Sequence, residues 1–155
     1  MQLLTFIMNG IPYGVPVTNV ESIETQKTVI HIPGAPANVQ GIMNLHGEII
    51  AVYSLASRFG YGNIACDNII VVRLNETKIG LQVQDVQNIV DVENKNILPM
   101  PVIMNATQHC LNDVASVQKE LVALLDVTRL LTKEELHGIE KLVEENSEQT
   151  DKVSS

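Results

Sequence analysis

One stretch of this chain recurs later in the same chain. Residues 6–23 align on residues 72–89 at a constant offset of 66, with Asn9/Asn75, Gly14/Gly80, Val17/Val83, Val20/Val86 and Ile23/Ile89 identical. A second echo, at an offset of 72, sets Glu48-Ile49-Ile50-Ala51-Val52 over Glu120-Leu121-Val122-Ala123-Leu124. Both echoes run in the same order, so each half is expected to carry a strand, a turn, a strand and, later, a buried strand. Two similar small β units bury a large mutual interface and leave outer grooves, but they supply no obvious catalytic centre. The repeat therefore points to a binding module. Chance likeness of short apolar segments is the competing reading, and the sequence alone leaves it open.

Composition sets the scale of that module. A chain of 155 residues is about one domain's worth and buries a substantial core. Only three Tyr, two Phe and no Trp are present, so the core must be Val, Ile, Leu and Met, which favours β structure. The formal charge is −8, with seven acidic and three basic residues in 132–155 alone. Nucleic acid and anionic membrane both need concentrated Lys and Arg, so neither is expected as a partner. The start of the chain has no cationic segment or small-residue cleavage site, and no apolar run approaches the length of a spanning helix. Cys66 and Cys110 are expected as free thiols that fill apolar space.

Asn9-Gly10 between residues 3–8 and 13–23 predicts a hairpin. Pro12 and Pro16 cannot donate to a ladder, so the second arm is expected at an edge or with a bulge. Residues 29–32 read as a short strand before the rigid Pro33-Gly34-Ala35-Pro36 loop. Residues 39–45 and 48–55 read as a second hairpin turning at His46-Gly47. A helical turn near 54–59 is closed by Gly60, and a loop follows over 61–67. Residues 69–74 and 78–89 repeat the first hairpin around Asn75, 102–111 is ambiguous between loop and strand, and 114–117 with 120–127 form a last β pair. Thr132-Lys133-Glu134-Glu135 is a capping box. Leu136, Ile139, Leu142 and Val143 follow at helical spacing, predicting a C-terminal helix near 132–146. One domain over 1–145 is expected, with a polar, disordered tail at 146–155.

The residues that carry chemistry do not converge in sequence. His31, His46, His109 and His137 are far apart, and the single His109-Cys110 neighbour pair falls short of the three or four ligands a metal needs. No metal and no cofactor are expected. Gly60-Tyr61-Gly62-Asn63 is half a dinucleotide fingerprint, without the third glycine or the helix, and reads as a turn. Glu48 and Glu120 hold equivalent places in the second echo, which favours a shared structural role over an acid/base pair. The chain is expected not to be an enzyme. Apolar surface is what remains: Val17, Val20 and Ile23, with Val29 nearby, are candidates for contact or for core.

A longer resemblance can now be stated. Phe6-Ile7, Asn9-Gly10, Tyr13-Gly14-Val15, Val20-Glu21-Ser22-Ile23, Ile32-Pro33-Gly34-Ala35-Pro36 and Gly41-Ile42-Met43-Asn44-Leu45-His46-Gly47-Glu48-Ile49-Ile50 together resemble the CheW-like chemotaxis coupling family. The likeness continues through Leu55, Arg58-Phe59-Gly60, Gly80-Leu81, Val83, Val86, Leu124-Leu125-Asp126-Val127 and Leu130-Leu131, covering about residues 3–135. It implies a mainly β fold of two five-stranded SH3-like barrels sharing a core. It also implies a non-enzymatic cytoplasmic scaffold, recruited to membrane receptor arrays. There it would couple methyl-accepting chemotaxis receptors to the regulatory domain of a CheA-type histidine kinase. Carried over by position, the kinase face would take in Ile23, Val29, Gly41, Asn44 and His46. The receptor's cytoplasmic tip, a helical hairpin, would lie in a groove at Val17, Val20 and Val86.

Three positions depart from the family pattern. His46 stands where Arg is usual, Ser54 and Gln84 where Asp is usual. An Arg fork offers constant charge and two-pronged bonding, and a histidine offers neither at every pH. A module that bridges kinases only or serves a divergent array is therefore an alternative, as is a small-molecule-binding barrel. The last would need converging polar groups in a closed pocket, and scarce aromatics argue against it.

Overall fold

The computed structural model describes residues 1–25, 27–100 and 109–154. Twelve strands are described: β1 Gln2–Met8, β2 Ile11–Pro16, β3 Val20–Thr25, β4 Ile30–His31, β5 Val39–Leu45, β6 Glu48–Ser54, β7 Asn68–Leu74, β8 Thr77–Val83, β9 Asp85–Asp91, β10 Ile97–Pro99, β11 Leu111–Val117 and β12 Glu120–Leu125. A short helix α1 spans Leu55–Arg58, and a long one, α2, spans Lys133–Ser154. The ambiguous stretch 102–111 lies largely outside the described residues.

The strands form two sheets of six, ordered β10-β11-β12-β2-β1-β9 and β3-β7-β8-β6-β5-β4. Each has five longer strands and one short edge piece, the three-residue β10 or the two-residue β4. These are the two SH3-like barrels. Their make-up differs from simple halves of the chain. β3–β8 form a barrel inserted between β2 and β9, and the other barrel is split around it.

The first echo explains this arrangement. β1 maps onto β7 residue for residue at the offset of 66, and β2 and β3 map onto β8 and β9. Within each unit the second arm breaks. Pro16 ends β2, one 3₁₀ turn at Val17–Asn19 redirects the chain, and β3 pairs with β7 of the inserted barrel. Conversely, β9 pairs with β1 of the split barrel. The third strands are exchanged. Equivalent residues meet in both places: Val20 opposes Val72 in one barrel and Val86 opposes Phe6 in the other. A register shift follows each of these pairs, and in the split barrel Thr5 fills it, its hydroxyl donating to the Asn88 carbonyl and accepting from the Asn88 N–H.

The second echo holds in the same way. Val52 pairs with Gly80 in parallel in the inserted barrel, and Leu124 pairs with Gly14 in the split one. Chance likeness does not produce matched registers, so the repeat is structural. β2 is not the edge strand its prolines suggested; it lies between β12 and β1. The prolines fit because β12 pairs only with Tyr13 and Gly14, leaving Pro12 and Pro16 beyond the parallel ladder.

Three apolar clusters follow from strand alternation. Met43, Leu45, Ile50, Val52, Ile69 and Val71 fill the inserted barrel, and Leu3, Val92, Ala115, Val122 and Leu124 fill the split one. The largest cluster lies between barrels, where Leu4, Phe6 and Met8 meet Ile70, Val72, Leu81 and Val83. β1 and β7 thus bury both faces, which is why they read as continuous apolar runs. Four of the five aromatic rings line up along this seam: Phe6 stacks on Tyr13, Tyr13 on Phe59, and Phe59 meets Tyr61 edge-on. The Tyr13 and Tyr61 hydroxyls are hydrogen-bonded, joining a strand of the split barrel to the loop after α1.

Ser54 caps α1, its side-chain oxygen accepting the Ser57 N–H at 3.1 Å. α2 opens with the expected reciprocal cap: Glu135 N–H to Thr132 Oγ1 at 3.1 Å, Thr132 N–H to Glu135 Oε1 at 3.2 Å. It runs for 22 residues, past the expected end at 146, so the stretch expected as a disordered tail begins inside the helix. Glu, Gln and Lys are good helix formers, and no Gly or Pro follows Gly138 to stop the helix. α2 packs on β6, and a Cβ at Gly138 would lie 3.3 Å from Pro36 Cγ, so the glycine lets the helix settle against the Pro-Gly-Ala-Pro loop.

Candidate functional site

The candidate kinase-face residues all lie in the inserted barrel or in the connection between its β3 and β4. Ile23 on β3 is 41% exposed, although its neighbours in the barrel are buried. β3 alternates, turning Glu21, Ile23 and Thr25 outward and leaving Val20, Ser22 and Glu24 half-covered. Val29 is half-buried and packs on the inserted barrel's interior cluster. Beside it Ile30, which sequence reasoning passed over, is 59% exposed. Its only sequence signal was its place in the short strand read over 29–32, which the structure narrows to Ile30–His31.

Gly41 is buried. A Cβ there would stand 1.9 Å from the Ile30 carbonyl oxygen, so the glycine is what lets β4 lie against β5. Gly41 therefore shapes the face through the backbone and offers it no side chain. Asn44 is exposed and its Oδ1 accepts the Gly47 N–H at 2.8 Å, holding the β5–β6 turn. His46 occupies that turn at φ 51°, with its side chain 81% exposed. Its Nε2 lies 3.5 Å from Oε1 of Glu24, a carboxylate only 14% exposed. Sequence reasoning had no means of pairing them, because 21 residues and a sheet end separate them. Where the family's Arg would make a permanent ion pair, this contact is an ion pair only when the imidazole is protonated.

The three candidate groove residues all pack on the cluster between the barrels. Val17, Val20 and Val86 are each half-buried against the inter-barrel core, Val20 and Val86 at equivalent positions of the repeat. They are neither pure core nor free surface. Gln84 ties that region to the first hairpin: its Oε1 accepts the Asn9 N–H at 2.9 Å, and its own N–H points at Met8 Sδ, 3.2 Å away. An Asp, one carbon shorter, reaches less far across the seam.

Glu48 and Glu120 do not share a role. Glu48 bonds Lys78 Nζ at 3.1 Å, and the counterpart of Lys78 in the split barrel is Pro12, which cannot pair with Glu120.

Burial holds two tyrosines and both thiols in their neutral forms. Burial first, then the Tyr61 hydroxyl, pushes the Tyr13 phenol well above its ordinary range, and burial pushes Tyr53 up to about 12. Burial also raises both thiols; Cys110 is fully buried, and Asp67 and Asp85 reinforce the effect at Cys66. A raised thiol is a poor nucleophile at neutral pH. Both cysteines are free. Among the described residues no group of three or more His, Cys, Asp or Glu could hold a metal ion, and no helix is long and apolar enough to cross a membrane.

A duplicated pair of fused SH3-like barrels defines the class of fold. Comparison with known proteins agrees. The model of the CheW-like domain family matches residues 2–135, and the chain belongs to that family, among the chemotaxis adaptors. It is 26% identical to the chemotaxis protein CheW of Treponema pallidum over 91% of this chain and 88% of that one. It is 24% identical to that of Klebsiella aerogenes over 87% and 84% of the two chains. The crystal structure of the scaffolding protein TtCheW from Thermoanaerobacter tengcongensis superposes with a TM-score of 0.79 at 24% identity, covering 86% of this chain and 94% of that one.

Proposed function

We propose that this chain is a non-enzymatic coupler that holds methyl-accepting receptors and a CheA-type histidine kinase in one array, and is drawn to the membrane by its receptors. The observation that carries this reading is that β3 turns Ile23 outward on the inserted barrel and, three residues earlier, packs Val20 against the inter-barrel core. In this reading Ile23, Ile30, Asn44 and His46, with Val29 supporting them from below, meet the kinase's regulatory domain. Val17, Val20 and Val86 seat the receptor's helical tip in the apolar trough.

The test is a titration of the purified chain with the cognate kinase regulatory domain and, separately, with the receptor tip. Ile23→Asp places a charge in the centre of the kinase contact and should weaken kinase binding at least about tenfold while leaving receptor binding intact. Val86→Asp should do the reverse. Wild-type affinity for both partners in both variants would reject the site assignment, and absence of binding by the wild type would reject the function.

A further inference from the structure

The duplicated plan brings one pair of positions together in both barrels. In the split barrel they are Val90 on β9 and Gln118 in the β11–β12 turn, which line one cleft. At the offsets of 66 and 72 their counterparts are Glu24 on β3 and His46 in the β5–β6 turn, and there His46 Nε2 lies 3.5 Å from Glu24 Oε1. Gln118 and His46 share the turn conformation, at φ 49° and φ 51°. The fold thus sets these positions side by side without requiring charge. One barrel has a valine and an amide there, the other a carboxylate and an imidazole. The Glu24 side chain is nearly covered, and that of His46 is mostly exposed. Charged groups on the neighbouring elements are held elsewhere or face solvent. Glu48, across the turn, bonds Lys78 at 3.1 Å, and Glu21, further back on β3, bonds Arg73 at 3.0 Å. His31 on β4 sets Nδ1 3.1 Å from the Gln40 carbonyl, while Lys27 after β3 and Asp67 before β7 are exposed.

We propose that docking on this face takes up a proton at His46, so that the kinase contact tightens as pH falls through the imidazole range. This rests on the coupling function proposed above, in which Ile23 and His46 meet the kinase's regulatory domain. A partner seated on those two residues removes the water left around Glu24, the residue that follows Ile23. A carboxylate sealed off beside a neutral imidazole keeps its full charge, and that charge resists burial. Beside an imidazolium it is neutralised within the pair. In the free chain solvent screens the pair, so protonation there matters little. The docked state therefore favours the protonated ring more than the free chain does. Linkage fixes the sign: docking that favours protonation is itself favoured by protonation, to the same extent. Imidazoles ordinarily titrate at about pH 6.5, so the gain is full below that range and is lost above it, where docking no longer retains the proton. Gln118 cannot titrate, so the split barrel has no equivalent response.

The test is a titration of the full chain with the cognate kinase regulatory domain at about pH 6 and about pH 8, at one ionic strength. Affinity should be at least about threefold tighter at the lower pH. Calorimetry near neutral pH in two buffers of different ionisation enthalpy should show more proton uptake on binding by wild type than by His46→Arg. His46→Arg, charged at both pH values, should bind equally well at each. Glu24→Gln removes the charge that the proton neutralises and should also lose the tightening, with thermal melts confirming that both variants are folded. Equal wild-type affinity at the two pH values would overturn the proposal, as would tightening of full size in either variant; both outcomes leave the coupling function in place. No binding by the wild type at either pH would reject the coupling function, and this inference with it.

Discussion

The split and inserted barrels share a backbone plan to the level of individual bulges and turn angles, yet hardly share a surface. His46 at φ 51° and Gln118 at φ 49° hold the same place in equivalent hairpins, but only His46 reaches a carboxylate. Gly41 admits a neighbouring strand where its counterpart, at the offset of 72, is Asp113. Ile23 and Ile89 are the same residue at the same position, and Ile89, 59% exposed, is the barer of the two. Duplication copied what the core requires and left the outer faces free to acquire separate partners.

The exchange of β3 and β9 makes a mechanical prediction about this pair. The split barrel closes only around the inserted one, and both bury the cluster between them, so the two should unfold together. Phe6→Ala, which empties a fully buried site in the shared seam, should cost about 3–5 kcal/mol. Urea unfolding should still show one transition with the variant; two separated transitions would mean the barrels are independent despite the exchange.

Next in size is a change that distinguishes the barrels. Gly41→Ala should cost on the order of 2–3 kcal/mol, because its Cβ meets backbone that cannot rotate away, whereas Asp113→Ala at the equivalent bulge should cost well under 1 kcal/mol. Equal losses in thermal melts would show that the β4 and β10 approaches are alike.

Alkaline pH probes the interior of one side. Tyr53, fully buried, keeps its proton to about 12 in the fold, whereas in the unfolded chain it loses it near 10. The neutral phenol's contribution is complete below pH 10. Between 10 and 12 the unfolded state gains by releasing the proton, so stability should fall by up to about 1.4 kcal/mol per pH unit from this group. Tyr53→Phe should flatten that part of the curve; an unchanged slope would assign the loss to Tyr13 and the thiols.

The smallest expected effect concerns the cap of α1. Ser54→Ala should cost about 1 kcal/mol, and Ser54→Asp, the residue usual in the family, should restore the cap, with chemical denaturation as the measure. Loss with Asp as large as with Ala would show that the buried site no longer admits a carboxylate.

Much of this was legible in the residues. Asn9-Gly10, the Thr132 capping box and the run Ile49–Val52 each state their local structure through turn angles, backbone capping or burial of both faces. Val17, Val20 and Val86 were named through the family resemblance, whereas the repeat by itself pointed to core for Val17 and Val20; all three are half-buried. Ile30, the Glu24–His46 contact and the aromatic line from Phe6 to Tyr61 were not legible, because each depends on which strands end side by side. Gly41 was legible as important, but its role in admitting β4 was not.

Chain order and alternation by themselves determined two similar β units, a helix at the end and an apolar seam, since those follow from spacing along one strand or helix. Only the tertiary structure decided that the third strand of each unit crosses to the other. That choice rests on the break at Pro16 and on hydrogen bonds between residues about fifty positions apart, Val20 with Val72. Local propensity acts over a few residues and cannot select a partner at that distance; burial of a shared core can.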